Sequence, residues 1–168
     1  LLHDNGWYGN LIVSNAPFIA TQIYDLDTRR MFEPRGAIEA TIDTAALGPV
    51  RILGTHLSLP PWERLSEVKN LLKLAEKAEE TTPCPLLLMG DMNEWIWNAK
   101  LLRHLDKLMQ PVPTAKTFPA HFPLLRLDRV WADAQGLEIN AQVIRDDITC
   151  YLSDHLPILI TLRKPSAS

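Results

Sequence analysis

Four short stretches of this 168-residue chain carry side chains able to do chemistry: Thr55-His56-Leu57, Gly90-Asp91-Met92-Asn93, Leu127-Asp128-Arg129-Val130 and Ser153-Asp154-His155. Imidazoles and carboxylates are the usual proton carriers of catalysis, and a carboxylate is also a hard oxygen ligand suited to magnesium. Singly, each stretch has an ordinary reading. A Gly-Asp-x-Asn after a strand is a turn whose Asp and Asn satisfy their own backbone, and one histidine is more often a satisfied imidazole than a catalyst. Asp128 resists such a reading. It stands between apolar neighbours, where an ionised carboxylate needs a cation or a hydrogen-bond donor beside it.

The elements that must position these groups can be read from the apolar pattern. Residues 10–14, 18–25 and 37–43 read as strands close enough in sequence to be antiparallel neighbours, and 50–56 is a further strand that stops at Pro60-Pro61. From Trp62 to about Thr81, Leu65, Val68, Leu71, Leu72 and Ala75 recur at helical spacing, with Glu63, Glu67, Lys69, Lys73, Lys77 and Glu80 taking most of the remainder. That is an amphipathic helix lying on a sheet. Leu86-Leu87-Leu88-Met89, bounded by Pro85 and Gly90, has the unbroken apolar run of a central strand buried on both faces. A short helix over 99–108, a proline-punctuated loop over 111–123 and strands over 126–132, 138–144 and 156–162 complete one domain spanning 1–168. Many strands with two helices predict a layered α+β or α/β sandwich. Each of the four polar stretches then falls at or beside a strand end.

Composition narrows the function classes. At 46% hydrophobic and 22% charged the chain is an ordinary globular domain, and its apolar runs are far too short for a membrane-spanning helix. A net charge of -3 gives no overall positive field for capturing nucleic acid, so such binding would need a local patch. Cys84 and Cys150, with no Cys-x-x-Cys pair, are expected as buried thiols of a reducing, cytoplasmic compartment.

Taken together, the four stretches with Gly9-Asn10-Leu11-Ile12-Val13-Ser14 and Arg35-Gly36-Ala37 resemble the endonuclease/exonuclease/phosphatase superfamily. Thr117-Phe118-Pro119-Ala120 is similar to its small bacterial members in particular. The resemblance implies a four-layered α/β/β/α sandwich of the deoxyribonuclease I type and metal-dependent hydrolysis of phosphate esters. A phosphodiester is the expected substrate, with nucleic acid ahead of a lipid or inositol phosphate head group. Asp91 would orient the attacking water or accept its proton, and Asn93 would donate its amide to a phosphoryl oxygen. Asp128 would pair with His155 and fix its tautomer, His56 would contact the scissile phosphate, and Asp154 would bind magnesium or manganese. Arg35 is either a phosphate ligand or a surface arginine in a turn. Trp95 and Trp97 either line the substrate mouth or pack their loop onto the core. Asn15 departs from the arginine common in the family at that place, which weakens the case for a long nucleic-acid ligand.

The family pattern begins with an asparagine-bearing strand and a second strand ending in Gln-Glu, whose glutamate is the principal metal ligand. Neither motif occurs ahead of Gly9, where Asp4 and Asn5 lack strand context. The chain is therefore expected to be the carboxy-terminal part of such a domain, through truncation, as a gene fragment, or as a short protein completed by dimerising. Magnesium would be weakly held without that glutamate, and an open sheet edge would favour self-association. The alternative to an enzyme is a catalytically deficient remnant that binds or oligomerises.

Overall fold

The computed structural model describes residues 2–3, 6–7, 9–26, 33–81, 84–96 and 101–165, with backbone only for 2–3, 6–7 and 77–81. A two-residue hairpin, β1 (Leu2–His3) and β2 (Gly6–Trp7), precedes the main sheet. That sheet has six strands: β3 (Phe18–Asp25), β4 (Gly36–Thr44), β5 (Gly48–His56), β6 (Leu86–Asp91), β7 (Gln110–Val112) and β8 (Asp128–Asp133). Their order is β3-β4-β5-β6-β8-β7, so β6 is central, and only β5 and β6 run parallel. The parallel pair requires a crossover, which α1 (Pro61–Thr81) provides.

Alternation along the central strands divides the core in two. Leu53, Leu86, Leu88 and Trp131 face α1 and α2 (Arg103–Leu108), packing with Val68, Leu71, Ala75 and Leu105. Leu87, Val130 and Ala132 point the other way, onto Ile139, Ala141, Ile160 and Leu162. Those residues belong to a second, two-stranded sheet of β9 (Glu138–Val143) and β10 (Ile158–Arg163). Helices on one face and a second sheet on the other make the α+β sandwich that the sequence implies, and every apolar face of β6 is covered.

Several expectations need correction. Asn10 to Ser14 is not a strand: Leu11 and Val13 are each 82% exposed, and the segment is tied to β4 by Asn10 Nδ2 donating to the Gly36 carbonyl. A short apolar run alone did not provide a pairing partner. β10 begins at Ile158 rather than Leu156, just after Pro157, which has no N–H to give a ladder. β8 begins at Asp128, two residues later than expected. Residues 97–100, and with them Trp97 and the start of the expected 99–108 helix, lie outside the described residues, as do Asp4 and Asn5. The loop over 111–123 includes the end of β7, and a one-turn helix, α3 (Thr149–Leu152), was not foreseen. Cys84 is buried as expected, whereas Cys150 is only half-buried. On α1 the binary pattern fails in the first two turns: Leu65 is exposed, while Glu63, Arg64 and Glu67 are buried.

Candidate active site

Sheet register assembles the site. His56 at the end of β5 lies opposite Asp91 at the end of β6, and Asp91 lies opposite Asp128 at the start of β8. Residues in register on adjacent strands project from the same face, so three polar side chains line up across the sheet. Backbone bonds from Leu57 N to the Asp91 carbonyl (2.9 Å) and from Met92 N to the Leu127 carbonyl (3.0 Å) carry the alignment past the strand ends. Gly90 is indispensable to this close approach. Its φ is +149°, and a Cβ there would lie 1.8 Å from the Thr55 carbonyl oxygen.

The second sheet supplies the fourth group. The Ser153–Asp154 turn ahead of β10 is anchored by Ala120 N on the Asp154 carbonyl (2.7 Å) and Leu156 N on the Thr117 carbonyl (2.9 Å). His155 is thereby held between the sheets, with its ring 4.9 Å from that of Phe118. Its Nδ1 lies 2.7 Å from Asp128 Oδ2. The same Oδ2 accepts a 2.5 Å hydrogen bond from the hydroxyl of Thr117, which is fully buried. On its far side His155 presents Nε2 to Asp91 Oδ2 at 3.7 Å, and His56 Nε2 stands 3.5 Å from the same oxygen. These separations are too long for strong hydrogen bonds, yet they aim two imidazoles and one carboxylate oxygen at a single point.

Asn93 lies within the same cluster. It is buried, with φ +49°, a left-handed conformation that asparagine tolerates, and its backbone N–H donates to Asp91 Oδ1 at 2.8 Å. Its amide nitrogen donates to the Leu57 carbonyl at 2.7 Å and contacts His56 Nε2 at 3.0 Å. Both amide hydrogens are thus engaged within the protein. Donation to a phosphoryl oxygen would require one of these bonds to be given up.

The two histidines are driven in opposite directions. Burial is the main cause that lowers the His56 pKa, and the positive charge of Arg35 adds to it. A neutral ring is what the Asn93 contact requires, since Nε2 must offer a lone pair. Burial also pulls on His155, but the hydrogen bond and charge of Asp128, with smaller help from Asp91 and Asp154, outweigh it and raise the pKa. One ring is kept neutral and its neighbour is biased toward imidazolium.

The remaining expected residues sit around this cluster. Arg35 is not a surface arginine: it is buried, paired with Glu33 at 2.7 Å, and lines a cavity of about 570 Å³ with His56, Gly36 and Asn10. A second cavity of about 450 Å³ is lined by Asp128, Ser153, His155, Met89 and Ile160. Trp95 is half-exposed, and its ring lies 5.3 Å from the Arg64 guanidinium. Asp154 is exposed, with its carboxylate 3.3 Å from the Ser153 hydroxyl. Among the described residues no three His, Cys, Asp or Glu side chains converge in a way that could hold a metal ion. Asp91 and Asp154 are oxygen donors of the right kind, but two carboxylates leave most of an octahedral magnesium shell to other groups. The described residues by themselves do not fit the ion.

Thr117 and Glu94 were not singled out from the sequence. Thr117 opens a motif that resembles the family, yet nothing in sequence connects its hydroxyl to Asp128, eleven residues on. Glu94 follows Asn93 directly and reads as one more acidic surface residue, although it is buried.

A sandwich of two sheets with a His–Asp pair facing a second Asp and His at the sheet mouth defines a class, and the chain belongs to it: the model of the Endonuclease/Exonuclease/phosphatase family matches residues 2–155. It is 28% identical over 165 residues to YbhP of Escherichia coli (strain K12). That alignment covers 94% of the chain and only 63% of the length of this curated relative. Among solved structures, a functionally unknown conserved protein from Enterococcus faecalis V583 superimposes with a TM-score of 0.74 at 19% identity, covering 89% of this chain and 68% of that one. The mannosyl-6-phosphatase Bt3783 of Bacteroides thetaiotaomicron VPI-5482 gives 0.72 at 14% identity, covering 88% and 67%. These structures share the fold. No helix among the described residues is long and apolar enough to cross a membrane.

Proposed function

We propose that the protein is a phosphoester hydrolase, with a phosphodiester as the preferred substrate. The carrying observation is the convergence of His56 Nε2 and His155 Nε2 on Asp91 Oδ2, with His155 braced from behind by Asp128. Attack on a phosphoester needs an oriented water, neutralisation of charge on the phosphoryl oxygens, and a proton for the departing alkoxide. Asp91, flanked by imidazoles, orients the water and takes its proton. His155, biased toward imidazolium, faces the phosphoryl group and supplies positive charge or a proton through Nε2. His56 is fixed by Asn93 and lies beside the buried Arg35, whose charge adds to the attraction for an anionic substrate. The balance of charge favours a short nucleic acid or another small phosphodiester over long duplex DNA.

Magnesium or manganese is the proposed cofactor, with Asp154 and Asp91 as partial ligands and further ligands needed from elsewhere. Hydrolysis of bis(p-nitrophenyl) phosphate with each cation tests the reading. Turnover should appear in the wild type and fall at least about a hundredfold in Asp91→Asn and His155→Ala, with both variants still folded. Silence of the wild type at saturating metal on several phosphodiesters and phosphomonoesters would refute the enzyme and favour a binding remnant.

A further inference from the structure

The first turns of α1 hold a buried ionic group that the reaction does not use. Arg64 is fully buried. Its Nη1 donates to the carbonyls of Ser58 and Leu59, in the loop that follows His56, and its Nη2 lies 3.4 Å from the carboxylate of Glu94, in the loop that follows Asn93. Glu94 is 4% exposed and is held on two further sides, by Ile96 N on Oε1 at 3.0 Å and by Arg129 Nη2 against its carbonyl at 3.4 Å. Trp95 closes over the guanidinium at 5.3 Å. One turn further along α1, Glu67 caps the Ser58 end, taking its backbone N–H at 2.8 Å and its hydroxyl at 2.5 Å.

A buried ion pair of this kind is a poor source of net stability, because desolvating both charges offsets most of their attraction, and Nε of Arg64 is buried with no hydrogen-bond partner. What the arrangement does supply is geometry. The planar guanidinium reaches both loops at once, and these are the loops whose separation sets the Asn93–His56 contact of 3.0 Å and the Asn93–Leu57 bond of 2.7 Å. A hydrophobic side chain of the same volume would fill the space and leave the two loops without a shared anchor.

We propose that Arg64, with Glu94 as its counter-ion, is a positioning residue that holds the His56 and Asp91-Asn93 loops at their reactive separation from the opposite side of the sheet ends. Its kinetic consequence rests on the hydrolase reading; its structural consequence does not. Arg64→Met, Glu94→Gln and the double variant test it. In all three, the side-chain amide resonances of Asn93 should move toward those of a solvent-exposed asparagine while backbone amides of β5 and β6 keep their exchange protection. With bis(p-nitrophenyl) phosphate, kcat should fall about tenfold to a hundredfold with KM within about twofold, because the loss is of orientation rather than of binding. The double variant should be no worse than the poorer single one, since both remove the same link. If Arg64→Met does not fold, Glu94→Gln decides alone, as it keeps size and the acceptor for Ile96. Unchanged Asn93 resonances in a folded variant would overturn the proposal, and so would protection lost uniformly through β5 and β6, which would make the pair a support for the fold only. Should the wild type show no Asp91-dependent turnover, the hydrolase reading fails and the Asn93 resonances still decide the positioning.

Discussion

The hydroxyl of Thr117 offers a clean perturbation of the site, because it can be removed without leaving a hole. It is fully buried and donates at 2.5 Å to Asp128 Oδ2, the oxygen that also receives His155 Nδ1. Thr117→Val keeps the shape and removes the donor. A hydrogen bond to a carboxylate contributes about 1.5–3 kcal/mol, and the variant leaves that oxygen to the His155 contact. For a chain of this length each kcal/mol moves Tm by roughly 2–4 °C, so calorimetry should show a fall of about 3–12 °C. Freed on one side, Asp128 orients His155 less well, and kcat on bis(p-nitrophenyl) phosphate should drop about tenfold to a hundredfold. Thr117→Ser is the control: it restores the donor but loses a buried methyl, so it should recover kcat while remaining about 1 kcal/mol less stable than wild type. If Thr117→Val keeps both kcat and Tm, the hydroxyl does not hold Asp128 and the reasoning fails. If Thr117→Ser melts early and turns over as poorly as the valine variant, packing rather than the hydrogen bond is what matters.

Other expectations follow from the same geometry. Because the folded pKa of His155 is raised, its contribution to stability is fully present below its unfolded value, near 6.5, and is lost as pH rises through the folded value. Asp128→Asn should lower the ring's pKa and abolish that loss, as Tm against pH and an NMR titration of the imidazole would show; an unshifted ring would sink the pairing. Gly90→Ala should destabilise by more than about 3 kcal/mol or abolish folding, since its Cβ meets the Thr55 carbonyl at 1.8 Å; a stable variant measured by urea denaturation would mean that β5 and β6 separate more easily than their register implies. Magnesium titrated calorimetrically into this chain should bind weakly, and a tight site would show that the described carboxylates suffice. β3 is a sheet edge with Phe18, Ile19 and Ile23 exposed, so light scattering should show a dimer or larger species that Ile23→Lys disperses; a monomer at high concentration would count against association there.

How much of this was legible in the sequence depended on whether a residue's role is set by its neighbours in the chain or by its neighbours in space. The alternation over 37–43, now β4, and the unbroken run of β6 were plain, because partial burial and burial on both faces each leave a trace in the apolar pattern. The four polar stretches were legible for a related reason: each interrupts such a trace at its end. Asn10 to Ser14 carries an apolar run like that of a short strand and is none, because pairing requires an edge that local pattern does not contain. Glu63 and Glu67 fall on the polar side of the helical pattern, where a charge normally faces water; Glu67 is buried together with Arg64 because the loop after β5 folds over the start of α1 and offers both of them backbone partners. The bond from the Thr117 hydroxyl to Asp128 left no trace in the sequence for the same reason, since it joins a loop residue to a strand residue eleven positions on.

The opposite protonation bias of the two histidines lies beyond the sequence, where the resemblance pairs Asp128 with His155 but gives the His56 ring no partner. What separates them is the hydrogen-bonding character of the group behind each ring. Asn93 offers an N–H to His56 Nε2, a contact that an imidazolium cannot accept, so this partner and the surrounding burial favour the neutral ring. Asp128 offers only lone pairs to His155 Nδ1, so this partner requires a proton there and rewards a second on Nε2, the nitrogen that faces Asp91. Each partner is in turn fixed by something outside the cluster, Asn93 by the Leu57 carbonyl and its own left-handed backbone, Asp128 by the buried hydroxyl of Thr117. The protonation states are thus written by two side chains that need never touch a substrate. Exchanging the character of either, a donor for an acceptor, would alter the chemistry available at Asp91 without moving Asp91 itself.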